Sequence, residues 1–501
     1  MNPNMTPNLM AVLPTLIIMV TGMVVLIGDS CLKGWKSTKS LSAIVTLIGI
    51  AAAGFFALSR ITEDSIIVFG GAVVIDSFSN GTALILLATA AFATLLAMTY
   101  LENKNLNLGE YYALVLFSTS GSMLMASAND LIVLFIAIEI LSVALYVLAG
   151  FARTDEKSEE SALKYFLLGA FAAGFLLYGI ALIYGGTAGA AGNGGTTNLT
   201  LISEFLRHTN GVANPMLMAG IALLLVGLGF KAGLVPFHMW TPDVYEGAPT
   251  SVTAYMAAGA KIGAFAAIVR VFNAFIPISP YWLIALQVLA VLTMFGGNLL
   301  AIVQENVKRM LAYSSIAHAG YLLVGVCAMA GNPRAHDTAL GAILFYLFGY
   351  MLVTMGSFGI LIWLSKRGHD CTTMNDLKGL AKTDPTAAYT MLIFMLSLAG
   401  IPLTVGFFGK LQIFNASLMA GQVGIAISMA VASIISVYYY LKVVWTMCFQ
   451  EPDGNTVEGR ATSSFGVNVT VGLSAIGCVL FGILPQTLQF LINASNSIMR
   501  P

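Results

Sequence analysis

A succession of long apolar runs covers this chain almost from end to end and constrains its fold more than any other feature. Each run is long enough to cross about 30 Å of hydrocarbon as a helix, and the segments between the runs are too short for a soluble domain. Only 9% of the 501 residues are charged, whereas soluble domains contain about 25%. The sequence therefore predicts an all-α polytopic membrane protein.

Fourteen transmembrane spans are predicted from the apolar runs. They cover residues 8–28, 41–58, 77–100, 110–127, 130–150, 161–184, 215–240, 250–274, 280–304, 309–330, 338–364, 386–419, 422–449 and 466–493. The seventh and twelfth spans are interrupted, in the segments GLGFKAGLVPFHMWTPDVYEG and LAGIPLTVGFFGKLQIF. Because proline removes a backbone hydrogen bond and glycine loosens a helical turn, both spans are expected to be broken helices.

The basic residues are distributed unevenly between the two ends of the spans. Loops after odd-numbered spans hold thirteen of them: Lys33, Lys36, Lys39, Lys104, Arg153, Lys157, Lys308, Arg309, Lys366, Arg367, Lys378, Lys382 and Arg460. The other loops and the termini hold four: Arg60, Arg207, Arg334 and Arg500. Since Lys and Arg are enriched in cytoplasmic loops, the odd loops are expected to be cytoplasmic and both termini to lie on the opposite side.

Residue spacing indicates an internal repeat. Glu139 and Lys231 are 92 residues apart, as are His318 and Lys410, so a single offset of 179 relates the two pairs. Broken helices in two related halves of a membrane protein point to a transport pathway at the breaks. We predict two five-helix repeats, in spans 4–8 and 9–13, the second inverted because five is an odd number. The predicted domains are therefore 1–108, 109–275, 276–450 and 451–501.

Four ionisable residues fall deep inside the apolar runs: Glu139, Lys231, Lys261 and Lys410. A charge near the bilayer centre costs about 2.5 to 3.5 kcal/mol, so such residues mark functional sites by default. Glu139 needs a partner, and two interpretations are open. It forms a static ion pair that joins two helices, or it faces Lys231 and sets the proton affinity of that lysine, which burial weakens and a carboxylate strengthens.

These groups suggest a proton relay. Lys261 lies among Ala and Gly residues, which leave room for water or for a close helix contact. His318 carries a side chain that exchanges protons near neutral pH, although a single buried histidine is more often structural. We predict the order Lys231, Lys261, His318, Lys410, with water between the members.

Other polar residues near the predicted pathway have two interpretations each. Lys164 extends to the headgroup region, or it points inward and modulates the Glu139–Lys231 pair. His238 and Asp243 form an access or gating pair, or they satisfy unwound backbone after the seventh-span break. Glu110, considered alone, is an interfacial residue at the start of the fourth span.

The remaining charged residues are expected to lie at the membrane interface, in loops or at helix caps. Arg270 and Lys442 lie toward helix ends and are expected to extend to the interface. Asp29, Asp130 and the DEKSEE run at 155–160 are expected to be solvated loop groups or helix caps.

The cysteines lie far apart without a CxxC pair, which argues against iron–sulfur, zinc or disulfide roles. These five are Cys31, Cys327, Cys371, Cys448 and Cys478.

This combination of residues resembles the antiporter-like subunits of respiratory complex I. The resemblance covers nearly the whole chain and rests on Glu139 in span five, Lys261 in span eight and two specific segments in the broken spans. These segments are PFHMWTPDVYEGAP, which follows Lys231, and LAGIPLTVGFFGK, which ends at Lys410. A lysine at 410, where other such subunits carry an acidic residue, and an end after span fourteen without a long lateral helix are similar to one branch of the family.

The resemblance implies a proton-pumping subunit of a membrane arm, driven by NADH:quinone electron transfer elsewhere in the complex. It implies no cofactor and no metal in this chain, with FMN, iron–sulfur clusters and quinone in partner subunits. The implied partners are a neighbouring antiporter-like subunit and small helical subunits. The implied location is the bacterial inner membrane, with both termini on the periplasmic side.

The resemblance also implies roles for individual residues. In the family, a span-five Glu pairs with a span-seven Lys, a span-six Lys modulates the pair, and central lysines form a hydrated axis. The matching residues are Glu139, Lys231, Lys164, Lys261 and Lys410, and Glu110 matches a family carboxylate near the fourth span.

Two other functions account for part of the pattern. A cation/proton antiporter of the multi-subunit type would have the same fold and would bind Na⁺ through oxygen ligands, which a lysine-rich axis disfavours. A purely structural membrane-arm subunit would explain a static ion pair but not four separate ionisable residues within the spans.

Overall fold

The computed structural model describes the chain in seven segments. They are residues 5–31, 38–61, 65–188, 194–209, 214–365, 370–452 and 464–488. Both chain ends and six of the basic residues counted above lie outside these segments. The six are Lys33, Lys36, Lys366, Arg367, Arg460 and Arg500.

The described residues are helical almost throughout. The helices are α1 (Met5–Ala11), α2 (Leu13–Cys31), α3 (Thr38–Ser59), α4 (Ser77–Asn103), α5 (Gly109–Ser127), α6 (Leu131–Ala149), α7 (Glu156–Gly186), α8 (Leu199–His208), α9 (Pro215–Ala232), α10 (Trp240–Gly247), α11 (Thr250–Tyr255), α12 (Lys261–Ala274), α13 (Ser279–Ile302), α14 (Val307–Met329), α15 (Pro333–Leu364), α16 (Leu380–Thr383), α17 (Pro385–Ala399), α18 (Val405–Met419), α19 (Val423–Phe449) and α20 (Phe465–Ile483). A π-helical turn, Met256–Ala260, joins α11 to α12.

The length and hydropathy of these helices confirm a multi-pass helical membrane protein. Within the described residues, twelve helices are long and apolar enough to cross a membrane. α5, which is rich in Ser, and the shorter helices α17 and α18 are not among the twelve. The count of fourteen spans therefore stays a prediction, although helices lie where all fourteen apolar runs were predicted.

Both predicted interruptions are present, and each begins at a glycine with a left-handed backbone. Gly233, with φ 73°, directly follows α9, and Gly400, with φ 82°, directly follows α17. A side chain with a Cβ disfavours this conformation, so glycine is the residue that permits each helix to stop there. The glycines are 167 positions apart, so the predicted offset of 179 does not align the breaks. Lys231 precedes its break, whereas Lys410 follows the other one.

Two elements were not predicted: a short hairpin and the amphipathic helix α8. Strands β1 (Ile66–Val68) and β2 (Val73–Ile75) pair antiparallel between α3 and α4. β-branched residues on both sides of an FGGA turn, in IIVFGGAVVI, are a hairpin signal that the hydropathy pattern obscures. We call the end of the bundle that carries this hairpin, together with α8, the hairpin face.

Three spans form the buried centre of the bundle: α11 with α12, α14, and α15. The first two are buried over their whole apolar length, whereas α2, α7 and α13 are buried over a third or less of theirs and carry exposed apolar side chains. The exposed side chains face the lipid or partner subunits of a membrane protein. The buried helices carry Lys261 and His318, so their position directs these polar groups toward the interior.

Candidate functional site

Lys231 lies in the last turn of α9 and is surrounded by aromatic rings. Its Nζ is 3.3 Å from the hydroxyl of Tyr146 and lies over the rings of Tyr146, Tyr165 and Phe230, 5.0, 5.2 and 5.4 Å from their centroids. Trp240, the first residue of α10, stacks on Tyr165 at 4.4 Å. Ring faces attract an ammonium group, so this cage favours the charged form of a residue that is only 6% exposed.

Glu139 lies near Lys231 but does not form a direct ion pair with it in the described structure. The two side chains interact electrostatically, and Tyr146, seven residues after Glu139 on α6, receives the hydrogen bond from Lys231. Residues seven apart share a helix face. One carboxylate oxygen of Glu139 is buried without a hydrogen-bond partner among the described residues. The static ion pair is therefore not formed here, and the carboxylate acts on Lys231 without a direct hydrogen bond.

Lys261 begins α12 directly after the π-helical turn and is 4% exposed. Its Nζ donates to the carbonyl oxygen and to the hydroxyl of Ser315 on α14, the latter at 2.5 Å, and lies 5.3 Å from the ring centroid of Tyr350. A small cavity with room for about one water molecule is lined by both Lys231 and Lys261. The first two members of the predicted relay thus share an enclosed space.

His318 lies in a network of hydroxyl groups in the middle of the bundle. Its Nδ1 is 2.6 Å from the hydroxyl of Tyr346, and its Nε2 is 3.1 Å from the hydroxyl of Tyr440. Tyr440 in turn is 2.5 Å from the hydroxyl of Ser314, the neighbour of the residue that binds Lys261. Both ring nitrogens are therefore hydrogen-bonded to groups that donate and accept, as a relay requires.

Lys410 extends across the second break and is 7% exposed. Its Nζ donates to the carbonyls of Leu398 and Ala399, at 2.8 and 3.2 Å, and to the hydroxyl of Ser433 at 3.0 Å. The two carbonyls are at the C-terminal end of α17, where the helix dipole favours a cation. A second small cavity is lined by His318 and by Leu398, so it separates the histidine from the carbonyl that Lys410 binds.

The two broken helices thus place their lysines alike, although the sequence positions differ. Lys231 is in the last turn of α9, and Lys410 reaches back to the last carbonyls of α17. In each half, an ammonium group is at the C-terminal end of the first half-helix, just before the break. Because one lysine precedes its break and the other follows its break, the lysines are 179 positions apart, whereas the glycines at the breaks are 167 apart.

Lys164 does not lie between Glu139 and Lys231, the inward position considered above. Its Nζ is 2.6 Å from Glu160 and 2.9 Å from Asp243, and its side chain is 42% exposed. Lys164 is one turn beyond Glu160 on α7, at the end of the bundle opposite the hairpin face, which directs its ammonium group away from the bundle interior.

Asp243 belongs to the same charged cluster and not to a pair with His238. Arg309, in the first turn of α14, contacts Asp243 at 3.1 Å and Glu246 at 2.8 Å. Among the described residues, no hydrogen bond or ion pair joins His238 to Asp243. The unwound backbone is satisfied elsewhere, since the hydroxyl of Thr293 accepts from the amide of Val235 at 3.1 Å.

Arg270 does not extend to the interface, so that prediction is wrong. The guanidinium is buried and forms a two-point ion pair with Asp76, the N-cap residue of α4. Lys442 is partly buried and reaches the carbonyl of Gln304 at 3.4 Å, which fits its place near the end of α19. Glu110 is half-buried in the first turn of α5, where a carboxylate complements the helix dipole.

The predicted helix caps are confirmed at two positions. Asp130 accepts from the amides of Ile132 and Val133 at the start of α6, and Asp155 accepts from the amide of Lys157 at the start of α7. These carboxylates stabilise helix ends and take no part in the buried network.

Several polar groups of the site were missed by sequence reasoning. They are Asp76, Tyr146, Tyr165, Glu246, Lys308, Ser314, Ser315, Tyr346, Tyr350 and Tyr440. Helical spacing is the signal that could have found some of them. Ser314, His318 and Tyr321 recur every three or four residues on α14, and Tyr346 and Tyr350 are one turn apart on α15. Lys308, which was counted with the loops, is buried and donates to the carbonyl of Ala248.

Among the described residues, no group of three or more His, Cys, Asp or Glu side chains is placed to hold a metal ion. The buried network instead combines primary amines, an imidazole and hydroxyl groups. Such groups donate and accept protons, so the arrangement suits proton transfer.

Comparisons with known proteins give a consistent result. Residues 128–436 match the family described as NADH:quinone oxidoreductase/Mrp antiporter, transmembrane. The chain is 42% identical to NADH-quinone oxidoreductase subunit N of Trichlorobacter lovleyi over 497 residues, which is 98% of each chain. It is similar to a chain of respiratory complex I from Thermus thermophilus, with 33% identity, a TM-score of 0.78 and coverage of 95% of this chain and 98% of the other.

The fold extends beyond respiratory complexes. A chain of the Mrp complex from Dietzia is 22% identical, with a TM-score of 0.82 and coverage of 99% of this chain and 98% of that one. At this identity the similarity concerns the fold alone.

Proposed function

Because this chain belongs to the family of NADH-quinone oxidoreductase subunit N, we propose that its buried lysines and histidine conduct the protons that the complex pumps. The chain is an antiporter-like subunit of the membrane arm, and the complex to which it belongs is an enzyme. The proposed part concerns the route, which is Lys231, Lys261, His318 and Lys410 in that order.

One observation carries this route: each gap between successive members contains a small cavity or a hydrogen-bonded hydroxyl. The first cavity is lined by Lys231 and Lys261. Lys261 binds Ser315, and the neighbouring Ser314 connects through Tyr440 to His318. The second cavity lies between His318 and the end of α17, where the ammonium group of Lys410 is bound.

The proposed mechanism begins at Lys231. The aromatic cage and the carboxylate of Glu139 favour the ammonium form, and burial favours the neutral amine. A movement of Glu139 or Tyr146 would change this balance and release the proton toward Lys261. A proton would then pass to His318 through hydroxyl groups and to Lys410, which releases it to the other side of the membrane.

The charged cluster of Lys164, Asp243, Glu246 and Arg309 has a supporting role in this proposal. It joins α7, α10 and α14 at the end of the bundle opposite the hairpin face. The first broken helix ends with α10, which carries Asp243 and Glu246. The ion pairs of the cluster therefore hold α10 in position after the break that follows Lys231. Half-buried Glu110, also at this end of the bundle, lies near the proposed proton entry.

We further propose the finer topology. Fourteen crossings follow if α5 and the α17–α18 pair each cross the membrane. Two inverted repeats then occupy 109–275 and 276–450, flanked by 1–108 and 451–501. The basic loops would face the cytoplasm of a bacterium and both termini the periplasm, with protons entering on the cytoplasmic side. FMN, iron–sulfur clusters and quinone would belong to partner subunits, among them a neighbouring antiporter-like subunit.

Lys164 should have a modest effect on pumping because its ion pairs are exposed. Exposed ion pairs contribute about 0.2 to 1 kcal/mol, so Lys164→Met should change the rate of NADH-driven pumping by less than about fivefold. Lys157→Met is the matched control, since Lys157 is more exposed and 3.5 Å from Glu246. A complete loss of pumping in Lys164→Met alone would assign this lysine to the relay itself.

The same fold also serves an Mrp complex, so a cation/proton antiporter is the alternative function. An Na⁺ pathway requires oxygen ligands, whereas the described axis presents three ammonium groups and an imidazole.

The test uses the whole complex in proteoliposomes, with internal pH followed during NADH oxidation. We expect full proton transport in sodium-free buffer and no stimulation by added Na⁺. A strict requirement for Na⁺ would favour the antiporter function.

A further inference from the structure

A buried ion pair in the first repeat has no role in the relay proposed above. Arg270 is on α12, nine residues after Lys261. Its Nη1 and Nη2 donate to the two carboxylate oxygens of Asp76 at 2.7 and 2.5 Å, and its Nε donates to the carbonyl of Ala126 at 2.8 Å. The side chains of Arg270 and Asp76 are 6% and 0% exposed. All three nitrogens of the guanidinium are thus hydrogen-bonded, which fixes its position.

A stripe of buried hydroxyl groups leads toward this pair along α5. Ser118, Thr119 and Ser122 are fully buried, and Ser118 has no hydrogen-bond partner for its hydroxyl among the described residues. The stripe lies against the span that carries Lys261. The hydroxyl of Tyr255 is 2.8 Å from that of Thr119, and Ser122 packs against Gly263.

The stripe ends at the ion pair. Ala126, one turn after Ser122 on α5, provides the carbonyl that accepts from Arg270. Ala128, two residues further along the chain, pairs with Val73 of the hairpin, so this end of α5 lies at the hairpin face. Polar groups therefore run from the middle of the first repeat toward the hairpin face and meet a guanidinium there.

This ion pair cannot itself pass a proton. An arginine has five donors and no acceptor, and it stays protonated at any physiological pH. Both oxygens of the Asp76 carboxylate accept from the guanidinium, and Oδ1 also accepts from the amide of Ser79 at 2.8 Å. The guanidinium therefore places a full positive charge in a fixed position at the end of the stripe. A fixed arginine in a pore excludes protons by electrostatic repulsion.

We propose that the Arg270–Asp76 pair is an electrostatic barrier that keeps protons in the first repeat from leaving directly at the hairpin face. Protons on Lys261 must then continue to His318 and Lys410. This inference rests on the proposed function, since it concerns protons held on the lysine axis. It assigns a specific task to a pair that lies outside the axis.

The test measures passive proton flux through the intact complex without turnover. Proteoliposomes that contain the complex receive a K⁺ diffusion potential, negative inside, and no NADH, and internal acidification is followed. The double variant Arg270→Gln/Asp76→Asn removes both charges and retains side chains that can hydrogen-bond to each other. We expect its leak to exceed that of the wild type about tenfold, which corresponds to about 1.4 kcal/mol of barrier. Arg270→Met, which removes the positive charge alone, should leak as well and serves if the double variant does not assemble.

Asp76→Asn alone is the matched control. It breaks the same ion pair, preserves a good N-cap and leaves the positive charge in place, so its leak should stay within about twofold of wild type. Equal leaks in Asp76→Asn and the arginine variants would mean that the pair only maintains packing, and wild-type tightness in the arginine variants would exclude a barrier. Either result overturns this proposal without affecting NADH-driven pumping by the wild type, the observation on which the proposed function depends.

Discussion

Replacing Lys231 by methionine should abolish proton pumping during NADH oxidation while the complex still assembles. Methionine has a similar length and fills the space among Tyr146, Tyr165 and Phe230 without an exchangeable proton. The variant also removes a charge from a nearly dry site, which relieves a cost to stability instead of adding one. The measurement is the rate of proton transport during NADH oxidation in proteoliposomes, expected to fall at least about tenfold, or about 1.4 kcal/mol in the barrier.

A second variant distinguishes the role of the amine from that of its surroundings. Tyr146→Phe retains the aromatic ring over Lys231 but removes the hydroxyl that accepts the hydrogen bond from the lysine. We expect an intermediate loss of pumping, because the electrostatic influence of the carboxylate on Lys231 remains. A wild-type ratio of protons to electrons in Lys231→Met would exclude this lysine from the pathway.

The membrane-spanning helices could be predicted from the sequence because hydropathy is a local property. α5 is an instructive case, because its serines lower its hydropathy, yet the predicted bounds 110–127 agree with those of the helix within one residue. The breaks were also predictable, since Gly233 and Gly400 permit a conformation that other residues resist. The π-helical turn before Lys261 has no comparable signal, because ordinary α-helical residues form it.

The candidate site could be predicted only as a list of residues. Lys231, Lys261 and Lys410 were found because a buried charge is costly at any position in a span. Their partners were not, since a tyrosine or serine in a span costs little and resembles many others. The Arg270–Asp76 pair joins residues 194 positions apart, and no periodicity in either helix relates them. The position of Lys164 likewise depends on how α7 and α10 meet.

The difference between the two offsets, 167 for the glycines and 179 for the lysines, has a physical meaning. An ammonium group can reach the end of a half-helix from its own last turn, as in Lys231, or from the following helix, as in Lys410. Both solutions use the negative end of a helix dipole to stabilise a cation that burial destabilises. The position of the charged group is therefore more regular than the sequence position of its residue.

Replacing Lys261 by methionine should stop pumping as completely as loss of Lys231, because Lys261 connects the two halves of the route. Its amine lines the cavity shared with Lys231 and binds Ser315 beside the histidine network. Without it, a proton on Lys231 has no acceptor on the way to His318. Lys442→Met is the matched control, since Lys442 also lies in a span but reaches only a backbone carbonyl near the helix end. The rate of proton transport during NADH oxidation should fall at least about tenfold in Lys261→Met, or about 1.4 kcal/mol in the barrier, and remain unchanged in Lys442→Met. Normal pumping in both variants would instead favour a subunit that only joins its neighbours in the membrane arm.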